Sequence, residues 1–457
     1  MRVQKTLSAL LLIAIANNST AAMSHGITPD ALPVISAVVG TSETLNPQTP
    51  GKMEVTTMPN TLQTSTTNAP LVEKFLLEGK LADGRRALEE HLREHPADDQ
   101  ARFGLGVLIF LDAVAHLKQS LFHYGLRSHS EISADLPFTR LQVAVNPAPA
   151  LFSYQDARKL VEDFQKGLLD ADRNLALIKS PDVKLPLHFG MIKLNFKDEK
   201  HPDGGESLWT VYSRLTNNQN IEEETAKAFY IKFDRGDVHW LRGYCNLLSA
   251  CCDMYLAYDS KALFEHTAHI FFKKVDSPYK FLTGGKRVHG IGREDLDVVD
   301  AIAFIHLINF RISKPEKMHD ALHHLEMVVA QSRESWKFIM AETGDDHEWL
   351  PNPRQTGVIP GMQVTDEMVT SWAKIMDQSE KLLKGKELIP FWRGTHDSGV
   401  NLRKVFLEPG DFDLVLWVQG TDAMPYLETG TLSDGDIWRQ ARSTFGNRFP
   451  GFALYFN

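Results

Sequence analysis

The chain has 457 residues, 43% of them hydrophobic and 23% charged, and a formal net charge of −9. That is enough chain for one large domain or two to three small ones. The mild acidic balance argues against a nucleic-acid binder, which needs a cationic face. No polybasic run or basic amphipathic helix marks a membrane-surface anchor.

At the N-terminus Arg2 and Lys5 precede the apolar run LSALLLIAIA (7–16), then polar Asn17 and Asn18 and the small residues 19–22. This order predicts a secretory signal peptide over 1–22 and an exported protein, periplasmic or extracellular. The run is half of the roughly 20 residues a spanning helix needs, so no stable membrane insertion is expected after cleavage. Residues 23–69 are rich in Thr, Ser and Pro and show no helical or alternating pattern. They read as a flexible leader that cannot bury enough apolar surface to offset chain entropy. A multi-helical domain is expected over 70–457, with a sub-boundary near 183–220.

The stretch GKLADGRRALEEHLREHPADDQARFGLGVLIF (79–110) resembles a tetratricopeptide repeat across its unit boundary. Gly79 stands at the turn, Gly84 at a helix crossing, Leu88 and Leu92 on the inner face and Pro96 at the unit's end. Ala101, Leu105, Gly106 and Ile109 match the first helix of a next unit. Gly84 stands where that repeat has alanine, and the apolar chain runs straight on past Phe110. An ordinary helical hairpin is the other reading of these residues. The resemblance implies helical grooves that hold a peptide or protein partner, with Leu88, Leu92, Phe103 and Ile109 as candidate partner-binding positions. The middle and C-terminal parts are similar to exported bacterial proteins of no known activity, a likeness that carries no function.

Strands are predicted at KLPLHFGMIKLNF (184–196), FDLVLWVQ (412–419) and the final FALYFN. The segment 233–259 reads as a helix capped by Asp237, with Leu241, Tyr244, Leu248, Cys251, Tyr255 and Tyr258 on one stripe. It holds all three cysteines. Cys245 and Cys252 are about 10 Å apart along such a helix, beyond the roughly 7 Å limit for a disulfide. With no C-x-x-C spacing for a metal, core packing is the expected role of the thiols. DLDVVDAIAFIHLINFRI (295–312) is apolar nearly all round and predicts a central buried helix. Residues 313–342 predict a helix with a Ser313–Glu316 capping box and Pro315 in its first turn. Residues 364–386 predict another, capped by Thr365 and stopped at Gly385. The fold class expected is mainly α, a multi-helical body of packed helical hairpins with minor β.

Three constellations could carry chemistry. His319, His323 and Glu326 stand at i, i+4 and i+7 on the helix after Pro315, a spacing that lets two imidazoles share a metal. Asp345, Asp346, His347 and Glu348 gather in the loop 342–363, long enough to read as a binding loop or lid. Together they define the alternative reading, a metal-dependent hydrolase-like enzyme with a divalent metal; a solvated helix flank and an acidic turn are the plainer account. TGGKRVHGIGRED (283–295) could face an anion with backbone N–H groups but is no phosphate-loop motif. His266 and His269 are expected to be buried and hydrogen-bonded. No serine or cysteine nucleophile arrangement is found. The favoured expectation is an exported helical binding or scaffold protein with no catalysis assigned and no cofactor.

Overall fold

In the computed structural model, residues 69–127, 143, 145–195, 206–208, 230–283, 293–345, 348–357, 363–393 and 397–435, with 439 and 444, are described. The predicted signal, most of the leader, most of the 283–295 glycine stretch and the final strand lie outside them. The protein is mainly α with short antiparallel strands.

The helical order begins with α1 (Glu73–Glu78), α2 (Leu81–Glu94), α3 (Asp99–His123) and α4 (Tyr154–Ala176). Gly79 ends α1 at φ 70°, a left-handed position that glycine takes without strain. Asp98 caps α3 by accepting from the N–H of Ala101. Ser153 and Asp156 form a reciprocal capping box on α4. α2 and α3 make the predicted hairpin. A Cβ at Gly84 would meet Leu108 Cδ1 at 2.6 Å, so glycine sets that crossing distance. By length and apolar composition α3 could cross a bilayer, yet it packs against α2 and α4 with Phe103, Leu108 and Ile109 buried.

The expected strand over 184–196 is broken into β1 (Leu185–Leu187) and β2 (Lys193–Leu194) by a 3₁₀ turn, Phe189–Met191. β2 pairs with β3 (Glu206–Ser207), and β1 with β4 (Ile231–Phe233). α5 (Arg235–Ala257) follows directly. Its cap is Asp234, and Asp237 is the third helical residue that returns the bond to the Asp234 N–H. The helix thus starts earlier than an Asp237 cap would allow.

Next come β5 (Tyr258–Asp259), α6 (Lys261–Phe271), α7 (Lys280–Thr283), α8 (Arg293–His306), β6 (Asn309–Ile312) and α9 (Pro315–Ala341). The expected central burial of 295–312 does not occur: Val299 and Ile302 are each 59% exposed. Nor does Ser313 cap α9. Its N–H and hydroxyl both bond Ala257 O, tying the start of α9 to the end of α5, and α9 begins at Pro315 after an Lys314 that makes no side-chain cap. α10 (Asp366–Leu383) is capped by Thr365 and followed by Gly385 at φ 66°, as its sequence predicts.

The chain closes with β7 (Ile389–Pro390), β8 (Ser398–Val400), α11 (Leu402–Leu407), β9 (Phe412–Asp413), α12 (Leu414–Gln419) and β10 (Leu427–Thr429). The predicted strand 412–419 becomes helix after two residues, because Asp413 accepts from the N–H groups of Val415 and Leu416 and caps it. β5–β6–β9 and β7–β8–β10 are small antiparallel sheets.

The most intimate packing is between α5 and α9. Small residues recur every seven positions on α5, at Gly236, Gly243, Ala250 and Ala257. A Cβ at Gly236 would lie 2.9 Å from Ile339 Cγ1, so the backbones sit close. Polar residues recur at the same interval and pair antiparallel. His239 Nδ1 meets Gln331 Oε1 at 2.8 Å, Asn246 Oδ1 meets His324 Nδ1 at 2.7 Å, and Asp253 Oδ1 takes Lys317 Nζ at 2.9 Å. Each step of seven up α5 is a step of seven down α9, the period of helices that keep one seam facing a partner. Asn246 donates from Nδ2 to Arg242 O, which aims its Oδ1 at His324 and places a proton on His324 Nδ1.

Breaking one rung strands a buried polar group. His239→Phe or Gln331→Met alone should each destabilise by about 1–3 kcal/mol. The double variant should be destabilised by clearly less than the sum, as read from urea unfolding of all four proteins. Simple additivity would show that the rung is not coupled.

Candidate functional site

Two features could carry function: a buried carboxylate cluster at the start of α5 and a large apolar cavity beside its other end. The cluster is built by the loop after α9. Asn352 is buried and donates from Nδ2 to Ile339 O at 2.8 Å, capping the carbonyl end of α9. Gln355 donates to Glu342 Oε2 at 3.0 Å and to Gly344 O at 2.7 Å. Trp349 then packs on Phe189 and Trp240, with ring centroids 5.5 and 5.8 Å away, and Leu350 is buried. The described part of the predicted binding loop, 342–345 and 348–357, therefore folds down onto the body.

That folding brings Glu342 and Glu348 to Asp234, with one carboxylate oxygen from each within 4.8 Å of the others. Asp237 lies beside them, and Lys184 Nζ reaches Asp234 Oδ2 at 3.0 Å. Burial, then the hydrogen bond and negative charge of Asp234, push the Glu342 carboxyl up to about 8. Burial and the Asp234 charge likewise raise Asp237 well above the usual range. Glu342 therefore holds a proton at neutral pH. Lys184 is held above its ordinary value: burial opposes its charge, but the charge and hydrogen bond of Asp234 outweigh it.

Of the residues expected to hold a metal, only Glu348 belongs to this group. Asp345 is exposed and accepts from the N–H of Thr356. Asp346 and His347 lie outside the described residues. His319 and His323 are exposed, the former with Nε2 3.0 Å from Leu407 O, and Glu326 pairs with Arg403 at 2.7 Å. The two expected halves do not share a site. His323 and Glu342 sit toward opposite ends of α9, about 28 Å apart at 1.5 Å per residue. Asp234 and Glu342 were missed by sequence reasoning; the D-x-x-D pair before an apolar run at 234–237 was the available signal for the first. His266 and His269 are both half-buried rather than buried; His266 Nδ1 lies 2.8 Å from Ala262 O, and His269 lies 3.8 Å from Asp300.

Leu88, Leu92, Phe103 and Ile109 are all buried in the core that joins α1 to α5. Their side chains are consumed by packing within the chain, so they offer a partner no surface. The thiols divide. Cys245 and Cys252 are buried as expected, while Cys251 is exposed. Burial raises all three thiols, Cys252 to about 12, so none is poised as a thiolate nucleophile.

Cys251 is exposed because it faces the cavity. About 930 Å³ lies open between α3, α4, α5 and α6 on one side and α9, α10, α11 and the two small sheets on the other. The side chains around it belong to several apolar clusters, with Phe304 and Trp417 each packing against two of them. Phe152, Phe271, Tyr255, Met318, Phe406 and Trp417 are among the lining residues. Among the described residues of the wall Asp411 alone is charged, and none is Lys, Arg, His, Asn or Gln.

The cluster makes stability pH-dependent with a defined sign. Because the folded value of Glu342 lies above the unfolded one, the native state keeps a proton that the unfolded chain releases, and stability falls as pH rises from about 4.5 to about 8. Glu342→Gln should raise Tm by several degrees at pH 8.5 and hardly at pH 5. Equal shifts at both would remove the proton from the account. No protein-family model, curated protein or solved structure matches the chain.

Proposed function

We propose that this is an exported binding protein whose cavity holds a large apolar ligand. The observation that carries the reading is the cavity itself, at the upper end of the roughly 300–1,000 Å³ of ligand pockets and walled by apolar and aromatic side chains. Water is a poor filling, since each molecule needs two to four polar partners and this wall offers few. An apolar ligand removes the wall from water at about 25 cal/mol per Å² covered. In this reading the recess between helices is the working surface, in place of the 79–110 hairpin, and the ligand is an apolar molecule in place of a peptide or protein partner.

The test is to fill the cavity with protein. Ala268 is buried and lines it. The neutral dye Nile red should bind the full chain at one site with a blue-shifted emission. Ala268→Trp should weaken binding at least about tenfold, a loss of roughly 1.4 kcal/mol. Leu177→Trp, at an exposed position outside the wall, should leave it unchanged. Absence of dye binding, or equal binding by all three folded proteins, would overturn the reading.

One observation favours a second role: the convergence of Asp234, Glu342 and Glu348, oxygen donors suited to a hard divalent cation. Binding would require Glu342 to give up its proton, so it would strengthen as pH rises. Millimolar calcium should then raise Tm at pH 8.5 more than at pH 6, and Glu348→Gln should abolish the rise. No shift with calcium, magnesium, manganese or zinc at either pH would eliminate this role.

A further inference from the structure

The one charged side chain among the described residues of the wall stands at the corner where the β5–β6–β9 sheet meets α12. Asp411 is exposed there and accepts the N–H of Ile312 through Oδ1 at 2.9 Å. Tyr258 and Tyr426 bring their phenols to the same corner. Tyr426 OH takes the N–H of Gly410 at 2.9 Å, and Tyr258 lies against the ring of Phe412 at 6.2 Å. Burial first, then Tyr426 and Asp411, push the Tyr258 phenol up to about 12, so it stays neutral at any physiological pH.

The charges near this corner decide what could be held. Arg158 reaches toward the same strand from outside the wall, but its guanidinium donates to the carbonyls of Leu256 and Tyr258 at 2.6 and 2.9 Å. Lys317 is tied to Asp253. A carboxylate or phosphate head drawn into the cavity would thus meet no cation among the described lining residues and would face the like charge of Asp411. An anionic head at that corner would be repelled by the like charge of Asp411 with no lining cation to offset it. A hydroxyl or ammonium head, in contrast, would find a carboxylate acceptor.

We infer that the ligand is a long-chain amphiphile whose head donates hydrogen bonds and bears no negative charge, an alcohol or an amine, seated with its head at Asp411 and its chain along the aromatic wall. This rests on the cavity being a ligand site, and it adds the class of molecule the site selects.

The experiment displaces Nile red from the full chain at pH 8 with three probes of equal chain length: hexadecanol, hexadecylamine and hexadecanoate, each below its aggregation limit. The alcohol and the amine should displace the dye at concentrations at least about tenfold lower than the carboxylate. Asp411→Lys should reverse the order of amine and carboxylate. Asp411→Asn, which keeps an acceptor for Ile312, should weaken the amine about tenfold and the alcohol much less. Hexadecanoate binding as tightly as the alcohol would overturn the inference while leaving the cavity reading intact. So would dye that binds but yields to none of the probes. Failure of the dye itself to bind would instead strike the cavity reading beneath it.

Discussion

The ladder of buried polar pairs between α5 and α9 fixes the direction in which every residue of α5 faces. A purely apolar seam could slide or rotate by a residue at little expense. Here a slip would part His239 from Gln331, Asn246 from His324 and Asp253 from Lys317 at once, leaving buried donors and acceptors without partners. Small residues every seventh position bring the backbones close enough for these short side chains to meet. At 100° per residue, Cys251 and Tyr255 then point away from the Asp253 side of the helix. The last turns of the α5 stripe, at Cys251 and Tyr255, are turned from α9 into the cavity, while Leu241 and Leu248 pack in the core with α3 and α4.

That orientation explains an arrangement that would otherwise look like poor packing. A helix commonly buries its apolar stripe against the next helix, yet α5 uses its small and polar positions for that contact. Much of its opposite face packs on α4, and only its C-terminal turns border the cavity. At the other end of the same helix, Asp234 and Asp237 start α5 while Glu342, just past α9, closes over them. Ladder, cavity and acidic cluster thus share two helices, and a proton at Glu342 sits at one end of the frame that shapes the cavity wall.

Much of this frame is legible in the chain. The caps at Thr365 and the stop at Gly385 are local chemistry and appear where the residues place them. Of the stripe 241, 244, 248, 251, 255 and 258, the first five share one face of α5, while Tyr258 falls past the helix end in β5; what the face meets depends on contacts far away in sequence. The heptad series at 239, 246 and 253 was visible too, but its meaning needs the complementary series at 317, 324 and 331. Errors came where distant backbone intervened. Ser313 looks like a cap until Ala257 O takes its donors, and the run 295–312 looks central until Val299 and Ile302 prove exposed. The separation of His323 from the 342–348 carboxylates required only the rise of one helix, and it excludes the metal site first assembled from them.

The native thiols report on the central claim directly, because they lie within eight positions and differ only in what they face. Intact protein should be treated with excess N-ethylmaleimide at pH 8.5 and mapped by peptide mass spectrometry. One adduct per chain is predicted, at Cys251, with Cys245 and Cys252 modified only after unfolding, and with Cys251 protected once Nile red is bound. A chain in which Cys251 stays unmodified until all three cysteines react together on unfolding would show that α5 has no open cavity beside it.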